Sequence, residues 1–587
     1  MPFNPEAPAS PPSPPHGMNA TAIAAAAAAK KVMQGRALQQ KNNENVAKYF
    51  AAAMAGVIIM FTIFHWSRFL YSRYATKGLK ESKIMRAQVS AARLTRHFLN
   101  RRVPGFTSWG HAVLVVIYLA INVILTVTNV VDWGVSPVAK RLGWLAMCNI
   151  AFITFLALKN TPLAYLTAYS YESLNPLHQV AGYTTITQAF LHAILQCITF
   201  EEEKFAAMLL ELEQINGITA VAAFFVLLVT ALAVRKLRYE LFYVIHITMF
   251  MLIIINLALH RPDFSKKTVI IIIVAAAMWG SDRIFRGSRV LWNSVNNRAT
   301  IYSLPHGGTR IVLNRSPSRT IPGTHCFLWV PKIRLLETHP FTIVSATPTS
   351  LELVISAYDG FTNDLHNYAL KNPGITLRAS IDGPYGALPN FGKVADKVIL
   401  ISGGSGASFT FGVALDMIKK VPEASKLSID FIWTVREPET LSWFRSELNE
   451  LKASPRVNLF LYTTRPSPSN ESEADAPSTL VPSINEEKKH ASSAHSSSTK
   501  ADPNTFGIDI EKKSSSVDSS TSLEPALGRP DVDAMIRDVV SKSGRNERIM
   551  IAACGPDQLM WTVRRTAASC ISVSGASIEL HCEQFGW

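Results

Sequence analysis

The chain has 587 residues, 48% of them hydrophobic and only 17% charged, with a formal net charge of +15. It is long enough for several domains and too apolar for an ordinary soluble protein, so membrane spans are the first expectation. The positive charge does not point to nucleic acid, because no segment interleaves a basic stripe with base-stacking aromatics; orientation in a membrane accounts for it.

In chain order, the opening MPFNPEAPASPPSPPHG lacks the basic region of a cleaved signal peptide. Residues 1–46 read as a disordered tail outside the membrane, with Asn19-Ala-Thr21 a glycosylation pattern. A first span near 49–66 serves as an uncleaved anchor. The stretch 67–103 follows with ten Lys/Arg and one acidic residue, Glu81. Positive loops stay cytoplasmic, so the N-terminus is expected outside, although Lys31, Arg36, Lys41 and Lys48 weaken that asymmetry. Further spans read near 108–131, 144–160, 177–199, 217–234, 241–259 and 268–285, each close to the roughly 20 residues that cross a bilayer. Seven spans, forming a membrane unit over 47–288, turn Glu201–Glu203 outward and leave the rest of the chain in the cytoplasm. The six cysteines form no C-x-x-C pair and no zinc spacing, which suggests neither a disulfide framework nor a structural metal and suits a reducing compartment.

Beyond residue 290, short β-branched runs between Gly/Pro turns (TRIVLNR, HCFLWVP, LELVISAYDG) predict a small antiparallel barrel over 289–392. From 393 the pattern is strand, glycine turn, helix, strand: KVILISGGSGASFTFGVALDMIKK, then SIDFIWTV and LFLYTT. That predicts an α/β nucleotide-binding domain over 393–587. It is interrupted at 466–527 by a Ser/Pro/Glu/Lys-rich insertion that cannot bury a core and reads as disordered.

The sharpest signal lies in the membrane unit. LHQVAGYTTITQAFLH carries His178 and His192, and the sixth span carries His246 and His260, also fourteen residues apart. Fourteen residues is close to four helical turns, so each pair shares a face, separated by roughly 21 Å of rise. The two helices run in the same direction, which pairs His178 with His246 on the cytoplasmic side and His192 with His260 on the outer side. Two facing neutral imidazoles are the axial ligand set of a heme with no open position, suited to electron transfer. A lone membrane histidine is ordinarily a bundle-facing polar residue, and the unpaired His65 and His111 are read that way. The polar Gln179, Thr184, Thr185 and Gln188 are expected to face the bundle interior.

In the cytoplasmic part, Gly403-Gly404-Ser405-Gly406 stands between a strand and a helix, where glycines let phosphate approach the backbone and a helix N-terminus favours the anion. Arg436, at the end of the second nucleotide-domain strand, is placed to meet a 2′-phosphate and so to select NADPH, with Arg465 a second candidate.

Taken with these features, the chain resembles the fungal ferric-chelate reductases, which share a superfamily of transmembrane flavocytochromes with the NADPH oxidases. The resemblance covers roughly 105–587 without the insertion. It rests on RLGWLA at 141–146, RYELFYVIH at 238–246, WGSDRIFR at 279–286, Pro322-Gly323-x-His325, His339-Pro340-Phe341-Thr342, Asp382-Gly383-Pro384-Tyr385-Gly386, the glycine turn, Cys554-Gly555-Pro556 and the terminal Glu583-Gln584-Phe585-Gly586-Trp587. The family usually has Gly-Ile-Thr after the glycine turn, where this chain has Gly406-Ala407-Ser408.

The resemblance implies a multidomain membrane protein: a helical bundle of about seven helices plus a cytoplasmic ferredoxin-reductase-like module of FAD barrel and NADPH domain. It also implies that Thr342 bonds the flavin edge, Phe341 packs the ring and His339 lies by the FAD phosphates. Cys554 would stand by the nicotinamide, and Trp587 would stack near the flavin until nicotinamide displaces it. Electrons would pass from NADPH through FAD and two hemes b to a ferric chelate or cupric ion outside, at the plasma or vacuolar membrane, in support of a high-affinity iron uptake system. The alternatives are an NADPH oxidase forming superoxide and a heme-binding membrane sensor without turnover.

Overall fold

The computed structural model describes residues 20–583 apart from 75–81, 102, 107, 132–133, 201–204, 265–266, 390, 423–424, 466–523, 546 and 573–574. Asn19, Glu201–Glu203, most of the insertion and Trp587 therefore lie outside the described residues.

Helix α1 runs over Ala20–Tyr74, 55 residues without a break. The expected tail is thus corrected from residue 20 onward. The alanine run at 22–29 and the Lys, Gln and Arg that follow are strong helix formers, and the helix is held by packing. Val46, Phe50 and Met54, one side of successive turns, are buried in the bundle. Above them Gln39 and Asn43 are buried and hydrogen-bonded to each other. Helix α2 (Lys83–Leu99) is basic and amphipathic, and it leans on the nucleotide domain: Arg93 donates to Gly575 O at 2.9 Å and His97 to Ala568 O at 3.0 Å.

The bundle continues with α3 (Trp109–Val127), α4 (Val135–Leu156), α5 (Tyr171–Ile198), α6 (Leu212–Val229, extended by a π turn to Leu237), α7 (Tyr239–His260) and α8 (Thr268–Ser294). Among the described residues, six helices are long and apolar enough to cross a membrane. The remaining expected span, near 177–199, falls on α5, which is long enough at 28 residues but more polar. Its polarity is used internally. Gln188 donates to Asn122 at 3.1 Å and accepts from Asn149 at 2.8 Å, while Tyr118 donates to Asn149 at 2.7 Å, and all four side chains are buried. A polar helix inside a bundle needs such closure, because lipid offers no partners.

Arg141, fully buried, ties the far end together. It donates to Asn43 of α1 at 2.7 Å and to the carbonyls of Leu125, Thr128 and Asn129 at 2.6–3.0 Å, at the C-terminus of α3. Those carbonyls have no intrahelical donor, and the cation meets the negative end of the helix dipole.

The barrel domain is a seven-stranded antiparallel sheet in the order β6-β1-β2-β5-β4-β3-β7: β1 Arg298–Leu304, β2 Gly308–Leu313, β3 His325–Trp329, β4 His339–Thr347, β5 Ser350–Ser356, β6 Thr376–Arg378 and β7 Ser380–Tyr385. It closes on one apolar core with helix α9 (Gly360–Lys371). The nucleotide domain is a six-stranded parallel sheet: β8 Lys397–Gly403, β9 Ser428–Val435, β10 Val457–Thr463, β11 Ala526–Leu527, β12 Arg548–Cys554 and β13 Ser577–Glu583, ordered β11-β10-β9-β8-β12-β13. Along β8, Val398 and Leu400 enter one core while Ile399 and Ile401 enter the other, as a parallel sheet covered on both faces requires. The expected insertion also ends earlier than residue 527. Ala526–Leu527 pair with Tyr462–Thr463 and Gly528 N donates to Thr463 O at 2.7 Å, so the returning chain completes an otherwise open edge.

Candidate functional site

The four histidines face one another in two pairs, His178 with His246 and His192 with His260. The rings of His178 and His246 have centroids 6.3 Å apart, and those of His192 and His260 6.5 Å. Two metal–imidazole bonds of about 2 Å each plus two ring half-widths sum to such a spacing. Ring orientation is set by backbone acceptors: Nδ1 donates to Ile153 O from His178 (3.2 Å), to Ala139 O from His192 (2.7 Å) and to Glu213 O from His260 (2.6 Å). A ring committed through Nδ1 presents Nε2 as the basic nitrogen. Nδ1 of His246 is buried without a hydrogen-bond partner among the described residues. Two glycines press on the far level, where a Cβ at Gly143 would lie 3.0 Å from His192 and one at Gly217 2.8 Å from His260.

The near level sits beside the barrel. Glu172, on the first turn of the helix that carries His178, has Oε1 2.7 Å from His325 Nε2 of β3, and the Tyr171 hydroxyl is 3.3 Å from the same nitrogen. Helix α8 passes out of the bundle and becomes the barrel's mount. Arg286 and Arg289 pair with the buried Asp382 at 2.7 and 2.9 Å, Asn293 donates to Ile381 O at 2.9 Å, and Ser380 donates to Val290 O at 2.6 Å. Asp382 also accepts from the Tyr385 hydroxyl at 2.9 Å, so the Asp382–Gly386 motif is locked to the last membrane helix. The Tyr385 ring stacks on His325, with centroids 5.9 Å apart.

His339, Pro340, Phe341 and Thr342 start β4 and are half-buried, whereas Ile343 and Val344 after them are fully buried. An aromatic strand edge is therefore left open, suited to a flat ring. His339 stacks on Phe361 at 4.4 Å and lies 3.2 Å from Glu337, with Glu240 of α7 closing the same cluster. Gly383 and Gly386 both take positive φ, +148° and +107°.

Gly403 ends β8, Gly404–Gly406 make one tight turn, and helix α10 (Ala407–Lys420) begins at Ala407. The turn packs against the Cys554-Gly555-Pro556 segment: a Cβ at Gly406 would fall 2.4 Å from Cys554 O, and one at Gly403 2.8 Å from Pro556. Two motifs about 150 residues apart in sequence thus meet at adjacent strand ends, where α/β sheets bind ligands. Burial pushes the Cys554 thiol up to about 12, with Glu583 adding to the effect. Arg436 and Arg465 lie side by side past the ends of β9 and β10, joined by Arg465 N to Arg436 O at 3.0 Å. The Arg465 guanidinium is held by Glu437 at 2.6 Å, while Arg436 is exposed with no ion pair among the described residues.

Residues that motif reading passed over hold the domains together. Helix α10 meets the barrel at Gly412, where a Cβ would fall 2.6 Å from Gly323 N and 2.8 Å from Ile343 O. Arg310 of β2 reaches Glu447 at 2.8 Å, and Trp443 donates to Pro305 O at 2.8 Å. A glycine inside FTFGVALD was the available signal, since helix interiors disfavour it unless a close approach needs it.

Comparison with known proteins agrees with this layout. The family described as "Ferric reductase like transmembrane component" matches residues 142–257, "FAD-binding domain" 294–389 and "Ferric reductase NAD binding domain" 395–568. Among curated relatives, ferric/cupric reductase transmembrane component 2 of Schizosaccharomyces pombe is 28% identical over 56% of this chain and 66% of its own length. Ferric reductase transmembrane component 6 of Saccharomyces cerevisiae is 28% identical over 61% and 52%. Ferric/cupric reductase transmembrane component 1 of Candida albicans is 25% identical over 77% and 57%. The chain therefore spans less than two thirds of the length of these relatives. Bundle, barrel and parallel-sheet domain each match in the same order, and the chain belongs to the ferric reductase family of transmembrane components with FAD- and NAD-binding domains.

Proposed function

We propose that the protein carries electrons from NADPH across a membrane to a ferric chelate, with cupric ion a second acceptor. The observation that carries this reading is the line of two imidazole levels, one beside the docked barrel and the other at the opposite end of the bundle. One NADPH and two ferric chelates yield NADP+, one proton and two ferrous chelates. When bound, FAD and two hemes b convert a two-electron donor into successive one-electron transfers over short hops.

The residues supply position. His178, His246, His192 and His260 would hold the hemes, and the committed Nδ1 atoms and the tight glycines at Gly143 and Gly217 support that fit. His339, Pro340, Phe341 and Thr342, with Gly383, Pro384, Tyr385 and Gly386, would seat the flavin on a barrel fixed to α8 and α5. Gly403, Gly404, Ser405 and Gly406 would cradle the NADPH phosphates, with Arg436 at the 2′-phosphate and Cys554 at the nicotinamide. The buried Tyr118–Asn122–Asn149–Gln188 cluster lies within the bundle with its side chains hydrogen-bonded to one another.

The orientation puts the flavin end in the cytoplasm. Arg68 at the end of α1 pairs with Glu579, and α2 contacts the same domain, so the basic stretch 67–103 shares a side with the nucleotide domain. Residues 20–43 then lie outside, at the plasma or vacuolar membrane, where ferrous product is available to an iron uptake system.

The test is capture of Fe(II) outside cells that overproduce the protein. Metal reduction that depends on cytosolic NADPH is expected. NADPH-dependent superoxide without metal reduction would replace this reading with an oxidase, and heme that stays oxidised under anaerobic NADPH plus FAD would replace it with a sensor.

A further inference from the structure

The far imidazole level opens into a cavity of about 540 Å³, lined by Lys31, Arg36, Lys140 and Arg261 together with His192 and His260; a heme held between the two rings would fill the end nearest them, and Lys31 and Arg36 of α1 line the part beyond it. Among the described residues lining it there are four permanent cations and no carboxylate. Arg261 lies 3.8 Å from Glu213, with both side chains exposed by a third or more, while Lys140 is within electrostatic reach of Arg36 and Arg261. Like charges brought together around a concave, partly enclosed space raise a strong positive potential and draw in an anion.

Helix α1 shows that the charge is placed on one face. Its lining positions, Val32, Gly35, Arg36, Gln39, Gln40 and Asn43, recur at the spacing of one helical face. Followed toward the membrane, that face becomes Val46, Phe50 and Met54, all buried in the bundle. A span needs only about 20 residues, yet the helix continues past the bundle and its face turns from apolar to cationic where it overhangs the cavity. The overhang is fixed rather than loose, because Asn43 accepts from the buried Arg141 at 2.7 Å and Gln39 accepts from Val131 N at 2.8 Å.

We propose that the cationic outer part of this cavity is the acceptor site and that it selects anionic chelates, in which ferric ion is wrapped by carboxylate ligands, with Lys31 and Arg36 of α1 as the selecting residues. The inference rests on the reductase reading. A ferric ion held by such ligands would sit next to the place of the last heme, on the side away from the bundle, and Arg and Lys grip carboxylates with charge-assisted hydrogen bonds. Lys31 and Arg36 belong to a helix that carries none of the four imidazoles, so they can vary without altering the electron path.

The test uses the full-length holoprotein and two readouts. Binding is measured with gallium(III) citrate, which mimics the ferric complex and cannot be reduced. Saturable binding is expected that weakens as salt rises and falls about tenfold or more in the Lys31→Glu/Arg36→Glu double variant. Turnover is measured with ferric citrate and with the cationic acceptor hexaammineruthenium(III). The ratio of their kcat/KM values is expected to shift about tenfold or more toward the cation, mainly through KM, and Lys31→Arg/Arg36→Lys is expected to restore it. Equal effects on both acceptors, or unchanged gallium citrate binding, would overturn the proposal. Loss of one heme absorbance from the double variant would overturn it as well, by assigning these cations to the porphyrin carboxylates. Wild-type protein that binds gallium citrate, reduces neither acceptor and makes superoxide would retain the site and sink the reductase reading.

Discussion

The two imidazole levels are built from the same residues at the same spacing, yet the protein finishes them differently. At the far level both rings donate to carbonyls within 2.7 Å and both touch a glycine, so their orientation is fixed by backbone alone. At the near level His178 has a longer bond of 3.2 Å, His246 has none through Nδ1, and the Phe242 ring packs 5.3 Å from it. The near level gains its definition from the docked barrel through Glu172 and His325. On the proposed electron path the far level would meet acceptors from outside with no domain docked on it, whereas the near one would meet a single docked partner. Rigid supporting contacts belong where no partner domain supplies them.

The largest test of that contrast removes the rings. His192→Ala and His178→Ala should each abolish one heme signal in a reduced-minus-oxidised spectrum and cut transmembrane electron flow beyond the roughly 10- to 100-fold typical of outer-shell partners. Unchanged spectra in both would refute the assignment. Gly217→Ala comes next. Its Cβ would strike His260 at 2.8 Å, so the far signal alone should shift or fall, with activity down about 10- to 100-fold. A matching change at the near level would erase the difference between the two.

Arg286→Ala attacks the near level from the barrel side. Removing a partner from a buried ion costs about 3–5 kcal/mol, and Arg289 remains, so an effect at or below the low end is expected. Flavin reduction by NADPH should persist in stopped flow while reduction of the near heme slows; equal slowing of both steps would contradict a docking role. Further from the membrane, Arg436→Ala should lower the NADPH over NADH preference about tenfold, as loss of a charge-assisted bond does. Arg465→Ala should have a smaller effect because that side chain already serves Glu437. The reverse ranking in kcat/KM would move the 2′-phosphate site.

The smallest effect concerns pH. The Cys554 thiol lies up at about 12 because of burial. Folding thus favours the neutral form, and that contribution is complete below the ordinary thiol range near about 8.5 and is lost as pH rises toward about 12. Hydride transfer should show no thiol titration between about pH 6 and 9, and a break in that window that disappears in Cys554→Ser would contradict it.

The four histidines, the glycine turn, the Cys-Gly-Pro segment and the flavin motif were all legible in the sequence, because cofactor chemistry fixes residue type and local spacing. The docking contacts were not. Asp382 with Arg286, and Glu172 with His325, join residues 96 and 153 positions apart, and nothing local in either partner announces the other. The N-terminal helix was missed because composition alone cannot separate a polar, alanine-rich helix from a tail; buried Gln39 and Asn43 decide it. The half-polar α5 shows the converse, since its polarity weakened it as a span while its hydrogen-bonding partners on α3 and α4 explain it.

Helix α8 is at once a lipid-facing span, with Ile270, Ile273 and Val274 exposed, and the post on which β7 is hung. Bilayer thickness acts on a span by tilting it. The post joins the barrel through a short turn, 295–297, and is bonded directly to β7 by Asn293 and Ser380, so a tilt of the helix would be passed to the barrel as a lever passes motion to its end. On the proposed electron path, bilayer thickness would then set how the barrel meets the near imidazole level, with no ligand and no covalent change.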